Sequence, residues 1–266
     1  MTAEKVVIND HTLHKLSAKE VRGMKTLAVI PARYASTRLP GKALIPIAGI
    51  PLVIRVLSNI QKCKTIDKVV VATDDSRIAD VVRQNGGEVV MTPSELPSGG
   101  DRVAWVSKKI PSEFVLNVQV DDPLVDSNMI DPLVEALETN SSVMLALLAK
   151  RIEHMEEVNS KDIVKMVFDR YGKGMYFSRS AIPYSNCAGG EWYKHIGPYG
   201  WRRDFLLNFS SWEQTPLEKI ESLEMLRVLE KGYSIKCVVT ENDTIEIDTP
   251  KDLKKIEKYF STQNTN

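Results

Sequence analysis

The alternation of short apolar runs with stretches of helical periodicity constrains the fold of this chain most. Residues 26–32 form a compact apolar run, and residues 68–73 are short and rich in β-branched side chains, so both predict buried strands. Between them, residues 52–60 carry apolar side chains at helical spacing. Short connections between such elements imply parallel strands joined by right-handed crossovers. The sequence therefore predicts an α/β fold with a mostly parallel central sheet flanked by helices.

The same patterns predict the remaining elements. Ser76 is the expected N-cap of one helix, and either Asp126 or Ser127 that of another. Residues 175–183 and 193–201 are expected to be extended and to carry polar side chains. Further strands are predicted at 88–92, 114–120, 142–148, 163–168 and 235–240, and helices at 76–84, 101–110, 126–138, 216–231 and 250–260.

The domain organisation is expected to be simple. The pattern favours one domain over 25–261 with a small embedded lobe, a polar extension at 1–24 and a frayed tail at 262–266. The extension has no apolar core of the kind found in secretory signals, and no apolar run approaches the roughly 18 residues needed to span a bilayer.

Charge and cysteine content exclude several classes of protein. Lys plus Arg total 35 and Asp plus Glu total 35, a balance that favours neither nucleic-acid binding nor attachment to an acidic membrane. The three cysteines, Cys63, Cys187 and Cys237, form no C-x-x-C pair, which argues against a disulfide framework and favours the cytoplasm. The four histidines show no metal-binding spacing.

The loop after the first predicted strand has the character of a phosphate site. Its sequence, I-P-A-R-Y-A-S-T-R-L-P-G-K at 30–42, contains Arg33, Arg38 and Lys42. Cations and exposed backbone N–H groups at the carboxyl end of a strand can hold a triphosphate. The loop lacks the Walker A pattern, and a merely basic surface loop is the alternative.

Two acidic segments are candidates for a metal site. N-V-Q-V-D-D-P at 117–123 ends a predicted strand in Asp121 and Asp122, and magnesium takes one or two carboxylates together with phosphate oxygens. Turn formation is the competing interpretation of these aspartates. In I-D-T-P-K-D-L at 247–253, Asp248 can bind metal, Thr249 can cap the following helix, and both roles can coexist.

A fourth segment pair combines aromatic side chains with cations. M-Y-F-S-R-S-A-I-P-Y at 175–184 and K-H-I-G-P-Y-G-W-R-R at 194–203 suit an anionic, hydroxylated ligand. A purely structural role is the alternative for His195.

These segments, in this order, resemble those of the 3-deoxy-manno-octulosonate cytidylyltransferases, also called CMP-Kdo synthetases. The resemblance runs from about residue 26 to about residue 259. It rests on the phosphate loop and on V-A-T-D at 71–74, S-G at 98–99, N-V-Q at 117–119, Y-F-S-R at 176–179, K-H-I-G at 194–197 and I-D-T-P at 247–250. It implies a Rossmann-like nucleotidyltransferase fold in which the embedded lobe serves sugar binding and dimerisation.

The resemblance also implies a role for each matching position. Arg33 and Lys42, with the Ala32 backbone, would hold the CTP phosphates, and Asp121 and Asp248 would be paired magnesium ligands. Arg33, Lys42, Asp121 and Asp248 are thus the expected catalytic residues. The expected cytidine-lining residues are Thr73, Asp74, Ser98 and Gln119, and the expected sugar-facing residues are Arg179, His195, Tyr199 and Glu224.

The implied reaction is attack of a sugar hydroxyl on the α-phosphorus of CTP, with release of pyrophosphate. Magnesium would offset the repulsion between the two anionic substrates and lower the pKa of the attacking hydroxyl. No side chain stands out as a general base. The expected partners are CTP, an acidic sugar and a second copy of the chain, and the expected function belongs to lipopolysaccharide biosynthesis.

Departures from the family pattern leave the sugar open. The family usually has V-Q-G-D-E-P, whereas here Val120 replaces the glycine and Asp122 replaces the glutamate. Gly100 replaces a threonine, and Met225 replaces a glutamine. The alternatives are therefore CMP transfer to a variant sugar, such as 8-amino-Kdo or a nonulosonate, or a catalytically silent CTP-binding homologue. Glu246, two residues before Asp248, can pair with an amine or point to water.

Overall fold

The computed structural model describes residues 23–35, 39–186 and 189–263. Its strands are β1 (Thr26–Ala32), β2 (Pro46–Ile47), β3 (Ile50–Pro51), β4 (Lys68–Thr73), β5 (Glu88–Met91), β6 (Phe114–Asn117), β7 (Leu145–Arg151), β8 (Lys165–Phe168), β9 (Gly174–Ser178), β10 (Tyr193–Arg202) and β11 (Ile235–Thr240). Its helices are α1 (Leu52–Ile60), α2 (Ser76–Gln84), α3 (Gly99–Lys109), α4 (Ser127–Thr139), α5 (Met155–Asn159), α6 (Arg203–Phe209), α7 (Pro216–Glu221), α8 (Met225–Glu230) and α9 (Pro250–Gln263), with a short 3₁₀ helix at Lys42–Leu44.

A mostly parallel sheet organises the molecule. The strand order is β11-β7-β10-β6-β1-β4-β5, and β10 runs antiparallel to both of its neighbours β6 and β7. The central strand β1 is buried along its whole length, as its continuous apolar sequence predicts. Core clusters lie on both faces of the sheet. The predicted α/β fold is confirmed.

A small antiparallel extension grows from β10. Strand β8 pairs with the start of β10, and β9 pairs with β8. The buried Lys165 fixes this extension, because its Nζ donates to the backbone carbonyls of Ser160, Ile163 and Arg179 at 2.5 to 2.7 Å. We call this extension, strands β8 and β9, the lobe.

One helix cap and one helix start differ from the predictions. Asp75, rather than Ser76, is the N-cap of α2, and its carboxylate accepts the Arg77 N–H at 2.9 Å. Helix α3 begins at Gly99 instead of Asp101, because Ser98 caps it by accepting the Asp101 N–H at 3.0 Å. At α4, Asp126 is the cap, one of the two predicted residues.

The prediction of one long helix over 216–231 is wrong. The segment forms α7 and α8, which are separated at Ser222, a residue with left-handed φ of 55°. Apolar periodicity continues across this break, so it gives no sign of the turn. The turn buries Leu223 and directs Glu224 toward the interior.

The termini lie partly outside the description. Most of the predicted extension at 1–24 falls in residues 1–22, which lie outside the described residues. Helix α9 runs to Gln263, so the predicted tail at 262–266 begins within a helix, and residues 264–266 also lie outside. In the part of the chain that is described, no helix is long and apolar enough to cross a bilayer.

Candidate active site

The polar residues that follow the parallel strands gather at one edge of the sheet. Arg33 follows β1 and Asp74 follows β4, and these strands pair in parallel with Ala32 beside Thr73. Strand β6 ends at Asn117, three residues earlier than predicted, and the chain then turns to present Asp121. Because the carboxyl ends of parallel strands meet at one edge, these groups lie along the same edge of the sheet.

Lys42 joins the two aspartates that the sequence places far apart. Its Nζ lies 2.7 Å from Asp121 Oδ2 and 3.0 Å from Asp248 Oδ1. The backbone supports this arrangement, since the Ile247 N–H donates to the Asp121 carbonyl at 2.9 Å. Burial of the ammonium lowers the pKa of Lys42, but attraction and hydrogen bonds from both carboxylates outweigh burial, and the net effect is a raised pKa.

Thr249 combines with Asp252 to begin α9 beside this pair. The Thr249 N–H donates to Asp252 Oδ2 at 2.8 Å, and the Asp252 N–H donates to Thr249 Oγ1 at 3.4 Å. This reciprocal cap fixes the chain next to Asp248 while Asp248 itself contacts Lys42. The predicted cap by Thr249 is therefore present, whereas metal binding by Asp248 stays a prediction.

Two further carboxyl groups, those of Asp122 and Glu246, lie near the Asp121–Asp248 pair. Burial is the main cause that raises the pKa of Asp122 to about 6. The pKa of Glu246 rises to about 7, first because its carboxyl is partly desolvated and then because Asp121, Asp122 and Asp248 repel its charge. Glu246 nevertheless keeps an exposed surface, as the interpretation of a solvent-facing side chain requires.

The chemistry of these groups fits a divalent cation shared with phosphate. The described residues hold no cluster of three or more His, Cys, Asp or Glu side chains arranged around a metal position. Magnesium, however, usually takes only one or two carboxylates and completes its coordination with water and substrate phosphate. Asp121 and Asp248 already share one positive charge, the Lys42 ammonium, so the pair favours a cation at this point.

The predicted cytidine-lining residues are held by neighbours that the sequence did not single out. Asp74 Oδ2 accepts from Arg102 Nη2 at 3.0 Å, and Arg102 is completely buried. Gln119 Nε2 donates to Asn117 Oδ1 at 3.1 Å. Thr73 is also buried, and its hydroxyl accepts a backbone N–H, that of Asp75, at 3.2 Å. Asn117 opens the N-V-Q motif at 117–119 but was given no role, and no sequence pattern marked Arg102.

Arg33 contacts the residue that precedes Ser98. Arg33 Nη2 donates to the Pro97 carbonyl at 2.8 Å, so the phosphate loop contacts the segment that precedes α3. The Ser98 hydroxyl donates to Asp101 Oδ2 at 2.6 Å and accepts the Asp101 N–H. Ser98 therefore has a structural role as the helix cap in addition to any role toward a nucleotide.

Three of the four predicted sugar-facing residues form a connected group. The Tyr199 hydroxyl donates to Glu224 Oε1 at 2.6 Å and accepts from Asn117 Nδ2 at 3.0 Å, and the His195 ring lies 5.9 Å from the Tyr199 ring. Burial raises the pKa of both Tyr199 and Glu224. Burial also lowers the pKa of His195 to about 4, so its imidazole is neutral near pH 7.

Arg179, the fourth predicted residue, is engaged elsewhere. Its guanidinium donates to the carbonyls of Glu221 and Lys161, both at 3.1 Å, and its backbone N–H donates to Glu221 Oε2 at 2.9 Å. The structure thus places Arg179 at the junction of the lobe with α7, and leaves its predicted contact with a sugar untested.

The glycine at position 100 explains how Glu224 fits against α3. A Cβ atom at Gly100 would lie 2.9 Å from Glu224 Oε2, closer than real Cβ contacts. The Gly100 departure from the family pattern therefore matches the position of this carboxylate. The other departure nearby, Met225, is buried in the core cluster that lies against α3.

The comparisons with known proteins agree with this geometry. A family model described as cytidylyltransferase matches residues 27–241. The 3-deoxy-manno-octulosonate cytidylyltransferase of Geobacter metallireducens is 43% identical to this chain, and the aligned region covers 90% of this chain and 98% of that enzyme. The enzyme of that name from Fusobacterium nucleatum is 41% identical, and the aligned region covers 91% of this chain and 99% of that enzyme.

A solved structure is similar over the same span. A CMP:2-keto-3-deoxy-manno-octonic acid synthetase complexed with CTP aligns with a TM-score of 0.86 at 34% identity, covering 90% of this chain and 99% of its own. A 4-diphosphocytidyl-2C-methyl-D-erythritol synthase from Anaerococcus prevotii shares the fold, with a TM-score of 0.60 at 18% identity.

The sheet topology and the family match together identify a nucleotidyltransferase with a Rossmann-like fold. Within that class, the chain belongs to the family of 3-deoxy-manno-octulosonate cytidylyltransferases. The resemblance stated from the sequence motifs is confirmed.

Proposed function

We propose that this protein couples CTP to 3-deoxy-manno-octulosonate (Kdo), giving CMP-Kdo and pyrophosphate. The observation that carries the proposal is the meeting of Asp121 and Asp248 at the Lys42 ammonium, at the carboxyl edge of the parallel sheet. The family membership supports the choice of substrates, since relatives at 41% to 43% identity carry this activity in their names.

Asp121 and Asp248 are the residues that would hold magnesium. When bound, magnesium supplies charge neutralisation for the phosphates and lowers the pKa of the attacking sugar hydroxyl. The two aspartates remain partly exposed, with side chains 22% and 26% accessible, so a substrate oxygen can reach them.

Lys42 and Arg33 are proposed to bind the triphosphate. Lys42 is held between the two carboxylates, and Arg33 lies directly after β1. Fixed positive groups that need no rearrangement stabilise the negative charge that builds on the phosphates during displacement. Ala32 contributes its backbone at the end of β1.

The cytidine is proposed to lie against Thr73, Asp74, Ser98 and Gln119. Their hydrogen bonds to Asp75, Arg102, Asp101 and Asn117 fix side-chain orientation before any nucleotide arrives. A base that finds preoriented donors and acceptors binds with less loss of side-chain entropy. Arg102 is therefore added to the proposed site as the residue that orients Asp74.

The sugar is proposed to contact Tyr199, Glu224 and His195, with Arg179 contributing from the lobe. The Asn117–Tyr199–Glu224 chain of hydrogen bonds connects the sugar side of the cleft with the cytidine side. A buried polar group that loses its partner is costly, so such a site discriminates among sugars by their hydroxyl groups.

The surroundings of the reaction follow from the same proposal. We place it in the cytoplasm, where CTP is available, and in lipopolysaccharide biosynthesis, which consumes activated Kdo. The buried thiols of Cys63 and Cys237 are free, which suits a reducing compartment. We further propose a homodimer, with the exposed apolar residues of the lobe region, Met175 and Tyr184, as part of its surface.

Pyrophosphate release is the test of the proposed function. The purified protein is assayed with each of the four nucleoside triphosphates and with Kdo, 8-amino-Kdo and neuraminate, in the presence of Mg²⁺. CTP with Kdo is expected to give the highest kcat/KM, and Asp121→Asn is expected to abolish turnover while circular dichroism stays unchanged. Asp204→Asn, whose side chain is 90% exposed, is the matched control and should keep full activity.

Other results point to the alternatives. Preference for 8-amino-Kdo or neuraminate would identify that sugar as the substrate in place of Kdo, while cytidylyl transfer would stand. Tight CTP binding without pyrophosphate release from any sugar would identify a silent homologue. Full activity of Asp121→Asn would remove the carboxylate pair from the mechanism.

A further inference from the structure

The phosphate loop is braced from outside by helix α2. The Arg77 guanidinium carbon lies 3.3 Å from the centroid of the Tyr34 ring, so the two planar groups are in direct contact. Tyr34 is the residue after Arg33, and Arg77 belongs to the first turn of α2. A side chain of α2 therefore covers the start of the loop that carries the two proposed phosphate-binding cations.

Asp75 fixes the orientation of that guanidinium. Arg77 Nε and Nη2 donate to Asp75 Oδ1 and Oδ2 at 2.9 and 2.7 Å, a two-bond pairing that sets the plane of the group. The Arg77 backbone N–H also donates to Asp75 Oδ1, because Asp75 is the N-cap of the helix. The Arg77 side chain is 57% exposed, so this ion pair alone contributes little stability, and its effect is to hold direction.

The Tyr34 ring also lies close to the end of the same loop. A Cβ atom at Gly41 would lie 3.2 Å from Tyr34 Cε2, and Gly41 has a φ of +69°, a conformation that favours glycine. The Gly41 N–H donates to the Tyr34 carbonyl at 2.9 Å and closes the loop on itself. Lys42 follows directly, so the position of Gly41 determines where the Lys42 side chain begins.

We propose that Arg77 is a positioning residue that binds the Tyr34 ring against Gly41 and thereby holds the phosphate loop in its CTP-binding form. We call Asp75, Arg77, Tyr34 and Gly41 the loop clamp. Arg77 acts through Tyr34 and does not itself contact CTP. The inference rests on the proposed function for the identity of the nucleotide, whereas the contacts of the clamp stand independently of it.

The clamp predicts a specific pattern of effects. Arg77→Ala removes the cation and Tyr34→Leu removes the aromatic ring of the contact between them. Each variant is therefore expected to bind CTP about three- to tenfold more weakly, the range of a partly exposed cation–π contact. The double variant is expected to bind CTP no more weakly than either single variant, because both changes break the same contact. Tyr34→Phe keeps the ring and should match the wild type, while kcat at saturating CTP should stay within about twofold.

Calorimetric titration of CTP with Mg²⁺, hydrogen exchange at the Gly41 amide and steady-state kinetics test the proposal. Arg83→Ala is the matched control, because Arg83 is an exposed arginine on the same helix. Faster Gly41 exchange in Arg77→Ala and Tyr34→Leu, with a raised KM for CTP, supports the clamp. Unchanged exchange and affinity in Arg77→Ala overturn it. Additive losses in the double variant also overturn it, because they place Arg77 directly on the phosphates.

The two hypotheses fail in different ways. If the wild-type protein does not bind CTP, the proposed function fails, and the Gly41 exchange rates still decide whether the clamp exists. If the wild type binds CTP and turns it over while Arg77→Ala is indistinguishable from it, the function stands and the clamp fails.

Discussion

At the scale of single residues, Lys42 connects the two halves of the site. Its ammonium contacts one carboxylate from the loop after β6 and one from the loop after β11. Sequence motifs named all three residues, but the distance of 206 positions between Lys42 and Asp248 hides their contact. Only the folded sheet shows that one nitrogen reaches both.

Removing Lys42 is expected to disable the enzyme. Lys42→Ala leaves Asp121 and Asp248 without their shared counter-charge and removes a proposed phosphate ligand. We expect kcat/KM for CTP to fall by about 10²- to 10³-fold, the loss typical of one preorganised electrostatic contact. Steady-state pyrophosphate release measures it, with the exposed Lys62→Ala as the control. A loss below about threefold contradicts this role for Lys42.

The fit between Gly100 and Glu224 gives a second prediction. Gly100→Ala places a methyl group 2.9 Å from Glu224 Oε2 and is expected to displace that carboxylate. We expect KM for Kdo to rise about tenfold while the affinity for CTP is unchanged, since small displacements of positioning groups are costly. Gly99→Ala is the matched control, because its nearest contact, Pro31 Cγ, is at an ordinary 3.5 Å. Equal effects of the two variants on KM for Kdo speak against this fit.

At the scale of elements, the predicted strands and helices of the first half agree closely with the structure. The strands at 26–32 and 68–73 and the helix at 52–60 have the predicted bounds, because apolar runs and helical periodicity are local signals. The break between α7 and α8 was missed since Ser222 carries no marker for a left-handed turn. The contact that stabilises this turn joins residues nine positions apart, which no periodicity reports.

That contact, between Arg227 of α8 and Glu218 of α7, is expected to hold the helix pair together. Arg227 Nε donates to Glu218 Oε2 at 2.8 Å, and Glu218 is 3% exposed. Arg227→Met leaves the buried Glu218 carboxylate without its counter-charge, so we expect the free energy of unfolding to fall by about 3 kcal/mol. Urea denaturation measures the change, with the exposed Lys219→Met on α7 as control. A shift below about 0.5 kcal/mol shows that the pair does not secure the turn.

At the scale of the whole molecule, stability is expected to depend on acid through His195. The pKa of this imidazole is lowered to about 4 by burial, whereas an unfolded histidine titrates near 6.5. The unfolded state therefore binds the extra proton first, and stability is lost as pH falls from about 6.5 toward 4. We expect this residue to account for about 3 kcal/mol of that loss.

The His195→Gln variant tests this dependence. Chemical denaturation at a series of pH values between 7 and 4 gives the slope of unfolding free energy against pH. The variant is expected to show a shallower slope than the wild type over this window, even if it is less stable at pH 7. Identical slopes contradict a buried, neutral His195.

The arrangement of the complete molecule follows from the sequence only in part. The α/β class and the gathering of polar residues after the strands could be predicted, because strand ends in a parallel sheet share one edge. The antiparallel insertion of β10 between β6 and β7 could not, since the order of strands depends on long-range pairing. That insertion brings Tyr199 beside Asn117 and so creates the hydrogen-bonded chain to Glu224.

One assay decides the central claim that a carboxylate pair at the sheet edge supports cytidylyl transfer to Kdo. Wild-type protein, CTP, Kdo and Mg²⁺ are incubated together, and CMP-Kdo and pyrophosphate are quantified in the same sample. Equimolar formation of the two products, abolished by Asp121→Asn and by Asp248→Asn, is the expected result. Product formation at the wild-type rate in either variant would contradict the claim. The absence of product from the wild type with CTP and every sugar tested would also contradict it.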